Sequence, residues 1–152
     1  MATKKIEEVL VAVDGSDNAD RAVDMAADLA QERGARLTVL TVLPRYDLPE
    51  ELKSLADSEH IEGSPMRQWE LVGERLAGAA RDRALEGRSG LTVTEAVLGG
   101  EPGEAIIDAA RRGKADLVVI GSRGLGRLEG LLLGSVSQKV VSLAPMSVLV
   151  VR

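Results

Sequence analysis

Five short apolar runs divide the chain and predict five β-strands. Most of these runs are rich in β-branched residues and apolar at nearly consecutive positions. That pattern is typical of parallel strands covered on both faces, whereas a strand with one wet face alternates apolar and polar residues. The predicted strands are residues 9–13, 37–43, 91–98, 117–120 and 147–151.

Between the runs, apolar residues recur at helical spacing and predict four principal helices. Ser16 is placed to cap the first helix and Gly34 to end it. Pro102 suits the first turn of the third helix, where a missing N–H costs nothing. The helices are predicted at about 16–34, 69–87, 102–113 and 135–144.

The stretch 44–65 interrupts this alternation. Its three prolines bracket a polar, acidic sequence with room for one short helix at 50–57. We interpret the stretch as a mobile excursion over the surface. The single histidine, His60, lies within it and is expected to be a solvated loop residue rather than a catalytic one.

Strands alternating with helices predict an α/β fold with a doubly wound, five-stranded parallel sheet and helices on both faces. A length of 152 residues fits one domain, and no internal repeat or linker divides the chain. Residues 1–152 are therefore expected to form a single domain.

Composition narrows the possible functions. The absence of cysteine excludes a disulfide scaffold, a Cys-ligated zinc site and a thiol nucleophile, and a single histidine excludes multi-His metal sites. A net charge of −5, with no phenylalanine, one tryptophan and one tyrosine, argues against a nucleic-acid partner.

No apolar run approaches the ~20 residues that span a bilayer. The first residues also lack the features of a secretory signal, so we expect a cytoplasmic protein without membrane insertion.

The stretch 121–134 carries the strongest indication of chemistry. It follows the fourth strand, holds five glycines in fourteen positions and leads into a predicted helix at Ser135. Ligands of such sheets bind at the carboxyl ends of the strands, and free N–H groups at a helix start favour phosphate. The hydroxyls of Ser135 and Ser137 add donors. Three cations lie nearby in sequence: Arg123, Arg127 and Lys139. Glycine content alone is equally compatible with a flexible, capped surface loop.

Standard nucleotide and hydrolase fingerprints do not fit this stretch. There is no G-x-x-x-x-G-K-[ST] and no G-x-S-x-G. Residues 124–129 begin like a dinucleotide motif, but Glu129 stands where its third glycine is needed.

One spacing does fit, namely G-x2-G-x9-G-[ST] at Gly121, Gly124, Gly134 and Ser135. Together with VLVAVDGS at 9–16, ADLVVIGSRG at 115–124 and LGSVSQKVV at 133–141, it makes the chain resemble the universal stress protein family, specifically its ATP-binding branch. The resemblance covers nearly the whole chain and implies a Rossmann-like sheet of order 3-2-1-4-5. It departs from many members at 143–147, where this chain reads Leu-Ala-Pro-Met-Ser instead of His-Ala-Pro-Cys-Pro.

The predicted nucleotide-binding set has ten residues, and the resemblance implies seven of them. Asp14 would hold the ribose hydroxyls, although a turn-forming role beside Gly15 is the alternative. The strand end near Val42 would bind the adenine edge through backbone groups. The phosphates would be cradled by Gly121, Gly124, Gly134, Ser135 and Val136, and the set is completed by Ala12, Arg123 and Ser137. Mg²⁺ or Mn²⁺ would sit on the phosphate oxygens, with no protein metal ligand.

These expectations favour a stress-response or signalling protein that binds ATP or another adenine nucleotide, such as AMP or a cyclic nucleotide, and acts as a regulator rather than an efficient catalyst. A slow ATPase or phosphotransferase stays open, although Asp14 and Asp17 are the only carboxylates near the motif in sequence. A nucleotide-free interaction module also stays open, but the intact glycines argue against it. The strand 147–151 lacks charge, proline and a bulge signal, so we expect a homodimer formed through this C-terminal strand.

Overall fold

The computed structural model describes residues 3–45, 48–125 and 133–152. Its described part contains one five-stranded parallel sheet of order β3-β2-β1-β4-β5. The strands are β1 (Glu8–Val13), β2 (Arg36–Leu43), β3 (Val93–Gly99), β4 (Leu117–Gly121) and β5 (Ser147–Val151). β1 lies at the centre, with Val11 beside both Val39 and Val119. The predicted fold class and strand order are confirmed.

Helices cover both faces of this sheet. They are α1 (Asp17–Arg33), α2 (Glu50–Ser58), α3 (Pro65–Leu85), α4 (Pro102–Arg112) and α5 (Ser135–Leu143). Val9 and Val11 of β1 point into a core shared with α1 and α3, while Leu10 points into a second core shared with α4 and α5. This alternation explains the unbroken apolar sequence of β1, because both of its faces are buried.

The ends of α1 agree with the sequence signals. The Ser16 hydroxyl accepts a hydrogen bond from the Ala19 N–H at 3.2 Å. Gly34 adopts the left-handed conformation at φ +65°, a geometry that glycine reaches without steric cost. The chain thus turns directly from α1 into β2.

The stretch interpreted as a surface excursion is instead partly packed onto the fold. Leu48, Leu52 and Ala56 are buried against Leu43 and Val72. The sequence pattern did not reveal this buried side, because prolines and acidic residues separate the few apolar residues of the segment. His60 is exposed just after α2, as expected.

The boundaries of α3 and β3 also differ from the prediction. α3 starts at Pro65, about one turn before Trp69, because the Ser64 hydroxyl caps it by accepting from the Arg67 N–H at 3.2 Å. β3 starts at Val93, two residues later than predicted.

Within the described residues, no helix is long and apolar enough to cross a membrane.

Candidate functional site

A cleft of about 380 Å³ opens at the carboxyl ends of β1, β2 and β4. After β1 the chain crosses to α1 on one face of the sheet, and after β4 it continues to α5 on the other face. The connections that follow these two neighbouring strands therefore diverge at this point. All ten residues proposed from the sequence line the cleft: Ala12, Asp14, Val42, Gly121, Arg123, Gly124, Gly134, Ser135, Val136 and Ser137.

The carboxylate of Asp14 is held in place by two backbone donors. Its Oδ1 accepts from the Ser16 N–H at 2.9 Å, and its Oδ2 accepts from the Leu125 N–H at 3.1 Å. A carboxylate oxygen has two lone pairs, so each oxygen can still accept one more hydrogen bond. The bond to Ser16 is the turn-forming role considered for Asp14, and it leaves the residue able to receive two hydroxyl groups.

The chain after β4 passes very close to this carboxylate. A Cβ built on Gly124 would lie 2.5 Å from the Asp14 Oδ2, a distance that side-chain carbons do not tolerate. A side chain at 124 would therefore have to displace the Asp14 carboxylate. The next residue, Leu125, also lines the cleft and was not singled out in the sequence, where its apolar side chain inside a glycine-rich stretch was the available signal.

Gly121 serves packing as well as lining the cleft. It is buried, and a Cβ at this position would lie 3.0 Å from both the backbone carbonyl carbon and the Cβ of Asn18 in α1. The sequence assigned Gly121 to the phosphate cradle alone, but the close contact of β4 with α1 also favours glycine at this position.

The first turn of α5 presents backbone donors at the cleft. The first hydrogen bond within the helix runs from the Gln138 N–H to the Gly134 carbonyl at 2.9 Å. The N–H groups of Ser135, Val136 and Ser137 precede it and lack an acceptor within the helix. Together with the helix dipole, these groups favour an anion.

The N-terminal end of α5 is hydrogen-bonded to the chain after β4. The Gly134 N–H donates to the Ser122 carbonyl at 2.6 Å. The buried hydroxyl of Ser137 lies 2.9 Å from the same carbonyl and 3.0 Å from that of Gly134, so its single hydrogen serves these backbone groups rather than a ligand. This corrects the expectation that the Ser137 hydroxyl is a ligand donor, while its N–H keeps that capacity.

The charge at the cleft differs from the expectation. Arg123 is exposed at the rim, and among the described lining residues it is the cation, with Asp14 and Glu51 as the anions. Lys139 is instead paired with Glu101 at 3.1 Å and Glu104 at 3.4 Å. Arg127, the remaining expected cation, lies outside the described residues.

Glu101 explains why Lys139 is drawn away from the cleft. Its carboxylate caps α4 by accepting from the N–H groups of Gly103 and Glu104. Burial by itself would raise the pKa of Glu101, but these backbone bonds and Lys139 together lower that pKa below its ordinary value. Glu101 therefore remains an anion that holds Lys139 at the start of α4.

The inner part of the cleft is apolar and lies beside an unpaired stretch of strand edge. Its apolar lining includes Ala12, Leu40, Val42, Ile106, Ile120 and Val136. The pairing of β1 with β2 ends at Val13 and Thr41, whereas β2 continues to Leu43. Backbone groups of β2 beyond Thr41 therefore have no β1 partner on that side. They are available to form hydrogen bonds with the polar edge of a ligand.

The described residues contain no group of three or more His, Cys, Asp or Glu side chains arranged to hold a metal ion.

Comparison with known proteins gives a consistent result. A sequence model described as the Universal stress protein family matches residues 5–152. The universal stress protein in QAH/OAS sulfhydrylase 3′ region of Thermus aquaticus is 42% identical over 147 residues, covering 95% of this chain and 97% of its own length. A universal stress protein solved in complex with cAMP is 28% identical, with a TM-score of 0.70 and 98% of each chain covered. The universal stress protein UspA of Lactobacillus plantarum is 26% identical, with a TM-score of 0.73, 99% of this chain and 100% of that chain covered.

Proposed function

The chain belongs to the universal stress protein family, and on that basis we propose that it binds ATP in the cleft and acts as a nucleotide-dependent regulator. The observation that carries the proposal is the convergence of three features on one cleft. They are the fixed carboxylate of Asp14, the close backbone approach at Gly124 and the N-terminus of α5. A related protein of 28% identity is described in complex with cAMP, which supports an adenine nucleotide as the ligand.

The proposed arrangement places each part of the nucleotide against matching chemistry. Adenine lies in the apolar inner part, with its polar edge at the β2 backbone near Val42. The ribose hydroxyls donate to the two oxygens of Asp14. The phosphates lie before α5, where the N–H groups from Ser135 to Ser137 and the side chain of Arg123 favour negative charge.

The charges that line the cleft call for a divalent cation on the triphosphate. Among the described lining residues Arg123 is the one cation, whereas Asp14 and Glu51 are two anions, so these side chains supply no net positive charge. Mg²⁺ or Mn²⁺ bound to phosphate oxygens would neutralise the triphosphate without a protein cage. We therefore expect either ion to strengthen ATP binding.

A regulatory rather than catalytic role is supported by the carboxylates. Both oxygens of Asp14 already accept backbone N–H groups, and its proposed partner is the ribose rather than a phosphate. Asp17, the other carboxylate near the motif in sequence, is exposed and does not line the cleft. We therefore propose neither residue as a general base at a terminal phosphate.

The proposal includes a homodimer formed through β5. This strand is an edge of the sheet and hydrogen-bonds to β4 alone among the described strands. Val148, Leu149, Val150 and Val151 are only partly buried, and Val141 and Leu143 of the neighbouring α5 are exposed. Edges of this kind pair with other strands unless charge, proline or a bulge prevents it. The cytoplasmic location expected from the sequence stays a prediction.

Calorimetry on the folded protein tests nucleotide binding. We expect micromolar binding of ATP, tighter with Mg²⁺ or Mn²⁺, and AMP and cAMP serve as further ligands. Asp14→Ala should weaken ATP binding by about 1–3 kcal/mol, the usual cost of unpaired polar groups. Adenine has no ribose and should bind the variant and the parent equally.

Asp17→Ala is the matched control, because it removes an exposed carboxylate three residues away that does not line the cleft. It should bind ATP like the parent. Absence of heat with every adenine nucleotide would overturn the proposal. Equal losses for adenine and ATP in Asp14→Ala would overturn the ribose role alone.

A further inference from the structure

We infer that Leu125, which occupies a variable position of the G-x2-G-x9-G-[ST] motif, is a positioning residue. It holds the ribose side and the phosphate side of the cleft in a fixed arrangement. The inference rests on the proposed function, since it concerns how the same cleft holds its nucleotide. It follows from two separate attachments of Leu125, one through its backbone and one through its side chain.

The backbone attachment fixes Asp14. The Leu125 N–H donates to the Asp14 Oδ2 at 3.1 Å, and the Ser16 N–H holds the other oxygen at 2.9 Å. The neighbouring Gly124 leaves no room for even a methyl group in front of that carboxylate. The orientation of Asp14 and the path of residues 122–125 therefore depend on each other.

The side-chain attachment reaches a hydrophobic cluster to which β2, α3 and the segment around α2 all contribute. Leu125 is partly buried and packs against a cluster formed by Leu43, Leu48, Leu52, Ala56 and Val72. Three of these residues belong to the segment 48–58, which otherwise sits at the rim of the cleft through Pro49 and Glu51. The side chain of Leu125 thus packs the chain after β4 against residues of other elements, in addition to the backbone bond to Asp14.

The same stretch also borders the phosphate side. A Cβ built on Gly134 would lie 3.5 Å from the Arg123 Cα and 3.5 Å from the Ser122 carbonyl oxygen, so residues 122–124 lie against the start of α5. A shift of Leu125 would therefore disturb the donor to Asp14 and the backbone in front of α5 together. The apolar inner part near Val42 is lined largely by strand and helix residues outside 122–125, such as Leu40 and Ile106, so we expect it to keep its shape.

This arrangement predicts a specific pattern for loss of the Leu125 side chain. ATP affinity should fall, because only a fraction of the molecules keeps residues 122–125 in the binding position. The preference for ATP over 2′-deoxyATP should also fall, because Asp14 is no longer held for two hydroxyls. Adenine affinity should not change. A residue that only stabilised the fold would not lower the ribose preference selectively.

The experiment compares Leu125→Ala with two controls. Leu125→Met keeps a large apolar side chain and should restore binding, while Leu85→Ala makes the same truncation at an exposed leucine of α3. Dissociation constants for ATP, 2′-deoxyATP and adenine are measured by calorimetry, with circular dichroism as the check on folding. We expect about a tenfold loss of ATP affinity in Leu125→Ala, as when the competent fraction falls to roughly a tenth. The ratio between ATP and 2′-deoxyATP should move toward one.

Hydrogen exchange of the nucleotide-free protein gives a second, independent readout. The amide at position 125 should be protected in the parent and should exchange faster in Asp14→Ala and in Leu125→Ala. Fast exchange of this amide in the folded parent would overturn the inference. So would equal ATP affinity and an unchanged ATP to 2′-deoxyATP ratio in Leu125→Ala.

A parent protein that binds no adenine nucleotide would overturn the proposed function, and the inference with it. A parent that binds ATP while Leu125→Ala binds it equally well would overturn the inference alone. The two failures are therefore distinguishable.

Discussion

Gly124 and Asp14 approach so closely that a Cβ on the glycine would stand 2.5 Å from the carboxylate Oδ2. Gly134 differs, because a Cβ there would meet the backbone of residues 122–124 at 3.5 Å or more, an ordinary van der Waals distance. Its φ of −71° is also accessible to any residue. A side chain is thus disfavoured at Gly124 by its contact with Asp14, whereas the position of Gly134 has room for a methyl group.

The two glycines should respond differently to substitution. Gly124→Ala should displace the Asp14 carboxylate and lower ATP affinity by about tenfold or more, the equivalent of ~1.4 kcal/mol. Gly134→Ala should bind ATP nearly as the parent does. Gly134→Val should abolish binding, because its branched carbons would crowd the backbone of residues 122–124, which lies against the start of α5.

Calorimetry measures these affinities, and circular dichroism should show unchanged helical content, since both positions lie outside the helices. ATP binding by Gly134→Val at the parent's affinity would contradict the proposed phosphate position.

The gathering of the ten proposed residues at one cleft could be foreseen from the sequence. Asp14 directly follows an apolar run and Gly121 ends another, and the carboxyl ends of parallel strands meet at the same side of a sheet. Capping residues such as Ser16 and Gly34 act through local geometry, so their signals were also reliable.

Contacts between distant parts of the chain could not be foreseen. Lys139 is paired with residues 38 and 35 positions away, and Leu125 bonds to a residue 111 positions away. Such pairings depend on the path of loops in three dimensions, which periodicity does not encode. The burial of Leu52 was missed for a related reason, since its neighbours in sequence are mostly charged or polar.

Thr41 is a second position where substitution should be informative. It is fully buried in β2, and its hydroxyl has no hydrogen-bond partner among the described residues. Valine has nearly the same shape without the unpaired polar atom. Thr41→Val should therefore raise the free energy of unfolding by about 1–3 kcal/mol.

Thr38→Val in the same strand is the matched control. The Thr38 hydroxyl is within hydrogen-bond distance of the Thr94 hydroxyl, at 3.1 Å, so its loss should be neutral or slightly destabilising. Urea denaturation measures both variants. A less stable Thr41→Val would show that the hydroxyl is satisfied in solution.

Asp116 should make stability depend on acid pH. The N–H of Glu7, the ammonium of Lys4 and the N–H of Glu8 hold the pKa of its carboxyl below the ordinary value of 3.8, against a smaller opposing effect of burial. The unfolded chain therefore takes up this proton at a higher pH than the folded protein does. The stabilisation is complete above the unfolded pKa and is lost as the pH falls through the folded pKa.

Removal of this carboxylate should accordingly matter less in acid. The stability difference between the parent and Asp116→Asn should be largest near neutral pH and shrink below about pH 4. Denaturation over a series of pH values measures it, with Glu32→Gln at an exposed position of α1 as the control. A difference that stays constant across the series would contradict the role of Asp116.

The proposed dimer can be tested at β5 because its backbone groups alternate in direction. The Val151 carbonyl accepts from the Ser122 N–H at 2.7 Å, so Val151, and with it Leu149, turns its backbone toward β4. The backbone groups of Val148 and Val150 therefore face the open edge. Proline is tolerated on an edge strand where the lost N–H faces outward.

Val148→Pro should thus release monomers while the sheet stays folded, because it blocks pairing along the edge and leaves the ladder to β4 intact. Leu149→Pro is the contrasting variant, since it removes an N–H that faces β4 at a residue packed against the α1 side of the core. That variant should lose stability whether or not a dimer forms. Sedimentation together with circular dichroism separates the two effects. A parent protein that stays monomeric at tens of micromolar would refute the dimer. A folded dimer of Val148→Pro would show that the interface does not involve pairing along β5.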